Sequence, residues 1–246
     1  MNSNQATMQK MTSMRLHGMA QAYRNLLETG KNMDLTTDEA VSYLVDGEWD
    51  EKHNRKLKRL VTAARFRYQA NLEDIDYSLK RNLDKNKILR LGDCSWISRG
   101  EDVLITGPTG VGKSYLATAL GFQACGYGHS VGYYSASRLF AELAMSKNEG
   151  TYLKTLKRIQ KHQVFILDDF GLERIGEASR LALLDIIEEF HRRKSIIIVA
   201  QVPVSVWHEI IGEPTVADAI MDRIVYNSHR IELEGESVRR KLYAID

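Results

Sequence analysis

The sequence has only two cysteines among its 246 residues, and no apolar run approaches the length of a membrane-spanning helix. Cys94 and Cys125 lie far apart and fit neither a disulfide framework nor a metal-ligand spacing, which indicates a reducing compartment. Residues 1–5 lack the basic and then apolar form of a signal peptide. We therefore expect a cytoplasmic protein without a membrane partner.

The sequence also lacks clustered histidines and a strong charge of one sign. His129, His208 and His229 stand alone, so no structural metal site is predicted. The net charge is +2, and the apolar and charged fractions, 43% and 27%, are those of ordinary globular proteins, which argues against global disorder. The length suits one or two domains with a sizeable core.

A glycine-rich stretch, Gly107-Pro-Thr-Gly-Val-Gly-Lys113-Ser114, is the strongest signal present. It follows a short apolar run that predicts a strand, and it leads into a predicted helix, the order that a phosphate-binding loop requires. Glycines let successive backbone N–H groups converge on a phosphate, and the helix N-terminus adds its dipole. We expect Lys113 to reach the β- and γ-phosphates and Ser114 to ligate Mg²⁺. The predicted nucleotide contacts are Gly107, Pro108, Thr109, Gly110, Val111, Gly112, Lys113, Ser114 and Tyr115.

Two further apolar runs predict buried strands that end in polar residues. Residues 163–167 lead into Asp168 and Asp169, where the first carboxylate is expected to hold Mg²⁺ and the second to orient the attacking water. Residues 195–200 lead into Gln201. Its amide either contacts the γ-phosphate or the water, or it is a polar strand end that faces solvent.

The chain before residue 76 is predicted to be helical and partly basic. Residues 1 to about 30 carry a methionine-rich apolar stripe with helical spacing, and Thr36 or Thr37 is typical of a helix start. In the basic segment 48–68, the apolar residues lie on one face of a predicted helix, and this face continues as far as Tyr68. Its cations fit either a solvated helix face or contacts with nucleic acid. We place the domain boundary near residue 75.

The phosphate loop, the Asp168-Asp169 strand end, the block from Trp207 to Arg223 and the Gly235-Glu-Ser-Val-Arg239 stretch together resemble the IstB-type transposition helper ATPases. These are AAA+ relatives of the DnaC helicase loaders. The resemblance implies an α/β AAA+ P-loop NTPase with a five-stranded parallel sheet of order 5-1-4-3-2, in residues 76–246. It also implies a small helical N-terminal domain, residues 1–75, that supports self-assembly.

The same resemblance implies ATP hydrolysis with Mg²⁺, homo-oligomers on duplex DNA, and a partner transposase. It places the trans-acting arginine of the family on Arg223, its second sensor on Arg239 and its first sensor on Gln201. Asp169 stands where glutamate is usual, so we expect slow hydrolysis until subunits or partners tighten the site. The resemblance also makes four cations candidate contacts with the DNA backbone, which read no sequence: Lys154, Lys157, Arg158 and Lys161. They join the candidates from the basic segment, which are Lys52, Arg55, Lys56, Lys58 and Arg59.

Two other functions stay open from the sequence. A helicase loader of the DnaC kind would act on single-stranded DNA with a replicative helicase, and the block from Trp207 to Arg223 argues against it. A small-molecule P-loop kinase would need an acceptor pocket and a mobile lid with several arginines between the core strands. Here the arginines cluster late in the chain instead.

Overall fold

The structure is a computed structural model that describes residues 3–30 and 35–238. It divides into two compact units, residues 1–59 and residues 60–246. Residues 60–75 thus belong to the second unit. The domain boundary near residue 75, inferred from the sequence, stays a prediction.

The first unit is helical. Its elements are α1 (Ser3–Ser13), α2 (His17–Thr29) and the first part of α3 (Thr37–Ala64). The single helix expected over residues 1 to about 30 is wrong, because Arg15 adopts a left-handed backbone with φ of 62° and separates α1 from α2. The helix start at Thr36 is confirmed. The Glu39 N–H donates to Thr36 Oγ1 at 3.3 Å, while the Glu39 carboxylate accepts from the Thr36 N–H at 2.8 Å.

Two glycines bring α2 and α3 close together. A Cβ on Gly18 would lie 2.2 Å from the Gly47 carbonyl oxygen, and a Cβ on Gly47 would lie 2.9 Å from the Ala22 Cβ. Next to this crossing, the Met19 N–H at the start of α2 donates to the buried Glu48 carboxylate at 3.0 Å. The small residues therefore let α3 supply a cap for α2.

The second unit begins within α3 and alternates helices with strands. Its further elements are α4 (Lys85–Gly92), α5 (Ser95–Ser98), β1 (Asp102–Thr106), α6 (Lys113–Gly126), β2 (Val131–Ser135), α7 (Ala136–Asn148), α8 (Tyr152–Gln160), β3 (Val164–Phe170), α9 (Glu177–Phe190), β4 (Ser195–Ala200), α10 (Trp207–Ile211), α11 (Pro214–Val225) and β5 (Ser228–Glu232). A 3₁₀ turn at Val204–Val206 precedes α10.

The five strands form one parallel sheet in the order β2-β3-β4-β1-β5. Read from the other edge this is 5-1-4-3-2, so the expected topology is confirmed. Strands β1 and β4 are buried at every position, as expected for central parallel strands that are covered on both faces by helices. Because all five strands run the same way, their carboxyl ends meet at one edge of the sheet.

The segment that follows β4 packs against the carboxyl end of β3 through Trp207. Trp207 is fully buried, its ring lies 4.9 Å from the Phe170 ring at the end of β3, and its indole N–H donates to the Val202 carbonyl at 3.2 Å. Helix α11 begins at Pro214, because the Glu213 carboxylate caps it by accepting from the Thr215 and Val216 N–H groups. The sequence also predicts a terminal helix over residues 236–243, which lies largely outside the described residues.

Both cysteines are buried, as their type often is. Burial raises the pKa of Cys94 to about 11 and that of Cys125 to about 12. Both side chains are therefore neutral thiols at physiological pH.

Candidate functional site

The glycine-rich loop joins β1 to α6, which begins at Lys113. Gly107, Gly110 and Gly112 have φ values of 143°, 87° and 99°, a backbone region that favours glycine. Space also requires glycine at the first position, since a Cβ on Gly107 would lie 2.2 Å from the Leu233 carbonyl oxygen. The loop thus has the strand–loop–helix setting predicted for it.

Lys113 and Ser114 sit in the first turn of α6 and face two sides of the loop. Lys113 is 6% exposed, and its Nζ donates to the Pro108 carbonyl at 2.7 Å, so the ammonium group lies over the loop. The Ser114 hydroxyl donates to Asp168 Oδ1 at 3.1 Å. The loop and the end of β3 therefore form one site.

Asp168 is fully buried and accepts three hydrogen bonds. Besides Ser114, the backbone N–H of Asp169 donates to Oδ1 at 2.8 Å, and the Tyr133 hydroxyl donates to Oδ2. Burial and the Asp168 carboxylate raise the pKa of Tyr133, so its hydroxyl stays protonated and acts as a donor. Tyr133 was missed from the sequence, because its position inside β2 says nothing about which strand end its hydroxyl reaches.

Asp169 sits in an irregularity of the sheet. Leu167 pairs with Ile198 in β4, and Phe170 is next in register with Ala200, so β3 has one more residue than β4 between these pairs. Asp169 is the residue in a left-handed conformation, with φ of 61°, which aspartate tolerates better than most side chains. The bulge therefore directs the side chains of Asp168 and Asp169 to different partners.

The Asp169 carboxylate faces an arginine from the chain that follows α3. The Arg67 Nη1 lies 3.8 Å from Asp169 Oδ2, and the two side chains are 59% and 32% exposed. Arg67 was noted in the sequence only as part of the basic segment. No motif links it to β3, which begins at Val164, so its ion pair could not be predicted.

Gln201 also reaches the loop. Thr106 at the end of β1 is paired with Ala200 at the end of β4, so the two chains leave the sheet side by side. The Thr109 hydroxyl donates to Gln201 Oε1 at 2.6 Å. Of the two alternatives for Gln201, the structure has the amide directed at the phosphate loop. Its contact with nucleotide or water remains a prediction.

A second arginine missed from the sequence supports the loop from outside. Arg81 donates from Nη1 to the Val111 carbonyl at 3.1 Å and from Nη2 to the Asp76 carbonyl at 2.9 Å. Burial lowers the pKa of this guanidinium, and a Cβ on Gly112 would lie 2.7 Å from its Nη1. Arg81 lies before β1 with no motif around it, so only the folded chain reveals the contact.

The chain after β5 also lies on the loop. The Val238 N–H donates to the Gly110 carbonyl at 3.0 Å, and a Cβ on Gly110 would lie 2.2 Å from Ser237 Oγ. Arg239, the predicted second sensor, lies outside the described residues. The described chain therefore contacts the phosphate loop through Ser237 and Val238.

Arg223, the predicted trans-acting arginine, is held on the surface of α11. Its Nη2 donates to Glu188 Oε1 in α9 at 3.0 Å, and its Nη1 donates to the Ala219 carbonyl at 2.7 Å. The side chain is 28% exposed. The structure thus does not bring Arg223 together with the loop residues of its own chain, and an action in trans stays a prediction.

All nine predicted DNA-contact cations are exposed. In α8 they lie opposite the buried Leu156 and Ile159. Some already have partners: Arg158 pairs with Glu142 at 2.6 Å, and Lys52 and Arg55 form ion pairs one turn apart within α3. The Arg55 and Arg158 pairs are exposed on both sides and are therefore weak, and the Lys52 side chain is 59% exposed, so these cations remain available to a polyanion.

Comparison with known families shows the family of the chain. The model of the IstB-like ATP binding protein family matches residues 9–244. The chain belongs to the IstB-like ATP-binding protein family. Membership of this ATP-binding family supports ATP as the nucleotide of the chain.

Curated IstB-like relatives match over nearly the whole chain. An insertion sequence ATP-binding protein of Sinorhizobium fredii is 45% identical over 234 residues, which cover 95% of this chain and 96% of the relative. A second protein of that bacterium, also named an insertion sequence ATP-binding protein, is 37% identical and covers 95% and 94%. The ATP-binding protein of insertion sequence IS1162 from Pseudomonas fluorescens is 37% identical and covers 82% and 87%.

Solved structures similar to the IstB-like chain show its fold. DnaI matches with a TM-score of 0.55 at 22% identity, over 72% of this chain and 93% of its own. The DnaC helicase loader matches with a TM-score of 0.52 at 23% identity, over 72% and 99%. The replication initiator DnaA, bound to AMPPCP and single-stranded DNA, gives 0.56 at 16% identity, over 74% and 57%. The fold is that of an AAA+ P-loop NTPase. Within residues 3–30 and 35–238, no helix is both long and apolar enough to cross a membrane.

Proposed function

We propose that this chain is an ATP-dependent regulator that oligomerises on duplex DNA and assists a partner transposase in choosing or using a target site. One observation carries the proposal. An IstB-like chain brings Lys113, Ser114, Asp168, Asp169 and Gln201 together at the carboxyl edge of one sheet. This set contains the groups needed to bind a triphosphate and to attack its γ-phosphate with water.

Ser114 and Asp168 suit Mg²⁺. The hydroxyl and carboxylate oxygens are 3.1 Å apart, and Mg²⁺ in such enzymes takes one or two protein oxygens, with phosphate oxygens and waters as its other ligands. Bound Mg²⁺ would neutralise charge on the β- and γ-phosphate oxygens. The Tyr133 hydroxyl holds the other oxygen of Asp168, and so fixes the orientation of the carboxylate.

The other residues of the candidate site have separate proposed roles in binding and hydrolysis. The ammonium group of Lys113 would leave the Pro108 carbonyl for the β- and γ-phosphates, where its charge is more effective. Asp169 would orient and polarise the attacking water, and Gln201 would fix the γ-phosphate or that water from the next strand. Arg223 of a neighbouring subunit would stabilise charge on the transferring phosphoryl group, and Arg239 would close over the nucleotide of its own chain.

The exposed cations of α3 and α8 support binding to the DNA backbone. Cations that contact phosphates carry no sequence information, so affinity should be tolerant of sequence and should fall steeply with salt. A few cations in each subunit give weak binding, which an assembly multiplies. Nucleotide between subunits would thus control how firmly the protein holds DNA.

The function of a helicase loader remains the second candidate, because DnaI and DnaC share the fold. The relatives named as insertion sequence proteins favour transposition instead. Substrate preference separates the two, since a loader acts on single strands.

The decisive experiment measures binding to duplex and to single-stranded DNA by fluorescence anisotropy, with and without ATP, for the wild type and for Lys113→Ala. We expect ATP to tighten the binding to duplex DNA in the wild type and to have no such effect in Lys113→Ala, with oligomers of the ATP-bound wild type visible by imaging. Preference for single strands would support the loader. Turnover that is independent of protein concentration and of DNA would refute the assembly mechanism and support a self-contained phosphotransferase.

A further inference from the structure

A short segment after α3, residues 65–68, lies over the hydrolytic site. Helix α3 ends at Ala64, and Arg65 then adopts a left-handed backbone with φ of 57°, which turns the chain out of the helix. This corrects the expectation that the helical face continues through Tyr68. The segment therefore packs on the ATPase core rather than extending α3.

Aromatic contacts anchor this segment on both sides. The Phe66 ring meets the Tyr133 ring edge-on, with centroids 6.3 Å apart, and it lies so close to α6 that a Cβ on Gly121 would be 2.8 Å from its edge. The Tyr68 ring stacks on the Tyr115 ring at 6.2 Å. Both anchors touch residues adjacent to the acids or to the phosphate loop. The residue between them, Arg67, is thereby presented to Asp169.

Arg67 has two possible anionic partners. Its Nη1 is 3.8 Å from Asp169 Oδ2, but the side chain is 59% exposed. Arg67 is also the last cation of the basic segment, residues 48–68. Such a long and exposed ion pair biases an equilibrium only by a factor of about two to five. A DNA phosphate that reaches Arg67 can therefore displace the Asp169 carboxylate without a large rearrangement.

We propose that Arg67 is shared between Asp169 and the DNA backbone, so that DNA binding releases Asp169 to orient the attacking water. Without DNA, Arg67 restrains the carboxylate that hydrolysis requires. With DNA, a phosphate takes Arg67 and the restraint is lost. This inference rests on the proposed function, and it adds the means by which DNA controls hydrolysis.

Thermodynamic linkage couples the Arg67–Asp169 pair to DNA binding: if DNA weakens the pair, then loss of the pair must strengthen DNA binding. If Asp169 competes with DNA for Arg67, then removing the Asp169 charge must tighten DNA binding even without nucleotide. The test measures the affinity of four proteins for a random-sequence duplex at fixed salt: wild type, Asp169→Asn, Arg67→Ala and the double variant. We expect Asp169→Asn to bind about two to five times more tightly than the wild type.

The double variant separates a specific competition from a general charge effect. Removing a negative charge anywhere near the DNA surface improves binding, so the gain must depend on Arg67. In the Arg67→Ala background, Asp169→Asn should change the affinity by less than about twofold. An equal gain in both backgrounds would overturn the inference and leave the proposed function intact. Failure of the wild type to bind duplex DNA would sink both.

Hydrolysis gives a second, independent readout. Arg67→Ala should raise kcat without DNA about two- to fivefold with an unchanged KM for ATP, and it should reduce the stimulation by DNA. Arg67→Lys, which keeps the charge, should stay close to the wild type. Arg193→Ala is the matched control, because it removes an exposed arginine from the turn before β4, at the other end of the sheet. A fall in kcat for Arg67→Ala without DNA would show that Arg67 supports Asp169 and would overturn the restraint.

Discussion

At the scale of single residues, Lys113 is the group on which nucleotide binding should depend most. The side chain is 6% exposed and already lies over the loop. We expect Lys113→Ala to weaken ATP binding about tenfold to 100-fold, because a charge-assisted contact with phosphate is lost. Isothermal titration calorimetry measures this directly. Lys10→Ala, in the exposed α1, serves as the control, and unchanged affinity in Lys113→Ala would refute the phosphate-loop assignment.

Asp102 should make stability depend on pH. It begins β1, is 4% exposed and accepts the Ile196 N–H at 2.7 Å, and burial raises its pKa to about 8. An unfolded aspartate has a pKa of about 3.9, so the folded state binds the proton more tightly. The stability that this proton contributes is complete below about pH 4 and is lost as the pH rises towards 8.

Asp102→Asn removes this titration. Between pH 5 and pH 8, the free energy of unfolding of the variant should improve relative to the wild type by at least about 1 kcal/mol, the worth of roughly one pKa unit. Urea denaturation at several pH values tests this. A difference that stays constant over this range would show that Asp102 is ionised in the folded protein throughout.

The sequence predicted the residues of the site but not their partners. Lys113, Ser114, Asp168 and Gln201 follow from motifs at strand ends, because the carboxyl ends of parallel strands must converge. Tyr133, Arg67 and Arg81 have no motif. Their contacts depend on packing between segments far apart in the chain, and the pattern of a single segment does not specify such contacts.

At the scale of elements, the crossing of α2 and α3 depends on small residues. We expect Gly18→Ala to destabilise the protein by about 1–3 kcal/mol, because its Cβ would meet the Gly47 carbonyl at 2.2 Å and the backbone would have to move. Gly126→Ala is the matched control, since a Cβ there meets nothing within 4 Å. Urea unfolding followed by circular dichroism compares them. Equal stability of the two variants would contradict the close crossing.

The exposed face of α8 should contribute to DNA binding through charge alone. Lys157→Ala should weaken duplex binding by a similar factor for different sequences and should reduce the salt slope, log Kd against log salt, by about one. Arg193→Ala should leave the slope unchanged. An altered preference among sequences would indicate base contacts and would contradict the proposal.

The ends of the helices show where the sequence pattern no longer predicts the structure. The strands were predictable because a continuous apolar run of this length suits a central parallel strand. The helical spacing that runs through Tyr68 was misleading, because its ring packs on Tyr115 of the core instead of along α3. In the same way, the left-handed Arg15 interrupts a periodic stripe without any glycine or proline to mark the break.

At the scale of the whole molecule, hydrolysis should require two subunits. Arg223→Ala should keep ATP affinity and lose most hydrolysis, while a mixture with Lys113→Ala should recover part of it, since each variant supplies the group that the other lacks. Turnover of the two variants, measured alone and mixed, gives the answer. No recovery in confirmed mixed assemblies would contradict action in trans. Glu188, which holds Arg223 at 3.0 Å, would have to release it on docking.

The two buried cysteines give a practical means of studying such assemblies. With pKa values of about 11 and about 12, both thiols should react slowly with maleimides at neutral pH, because the thiolate is the reactive form. A single cysteine introduced on an exposed surface, for example at Lys10, would then accept a fluorophore with little background. Photobleaching steps on individual DNA molecules would count the subunits directly, with the native sequence otherwise unchanged.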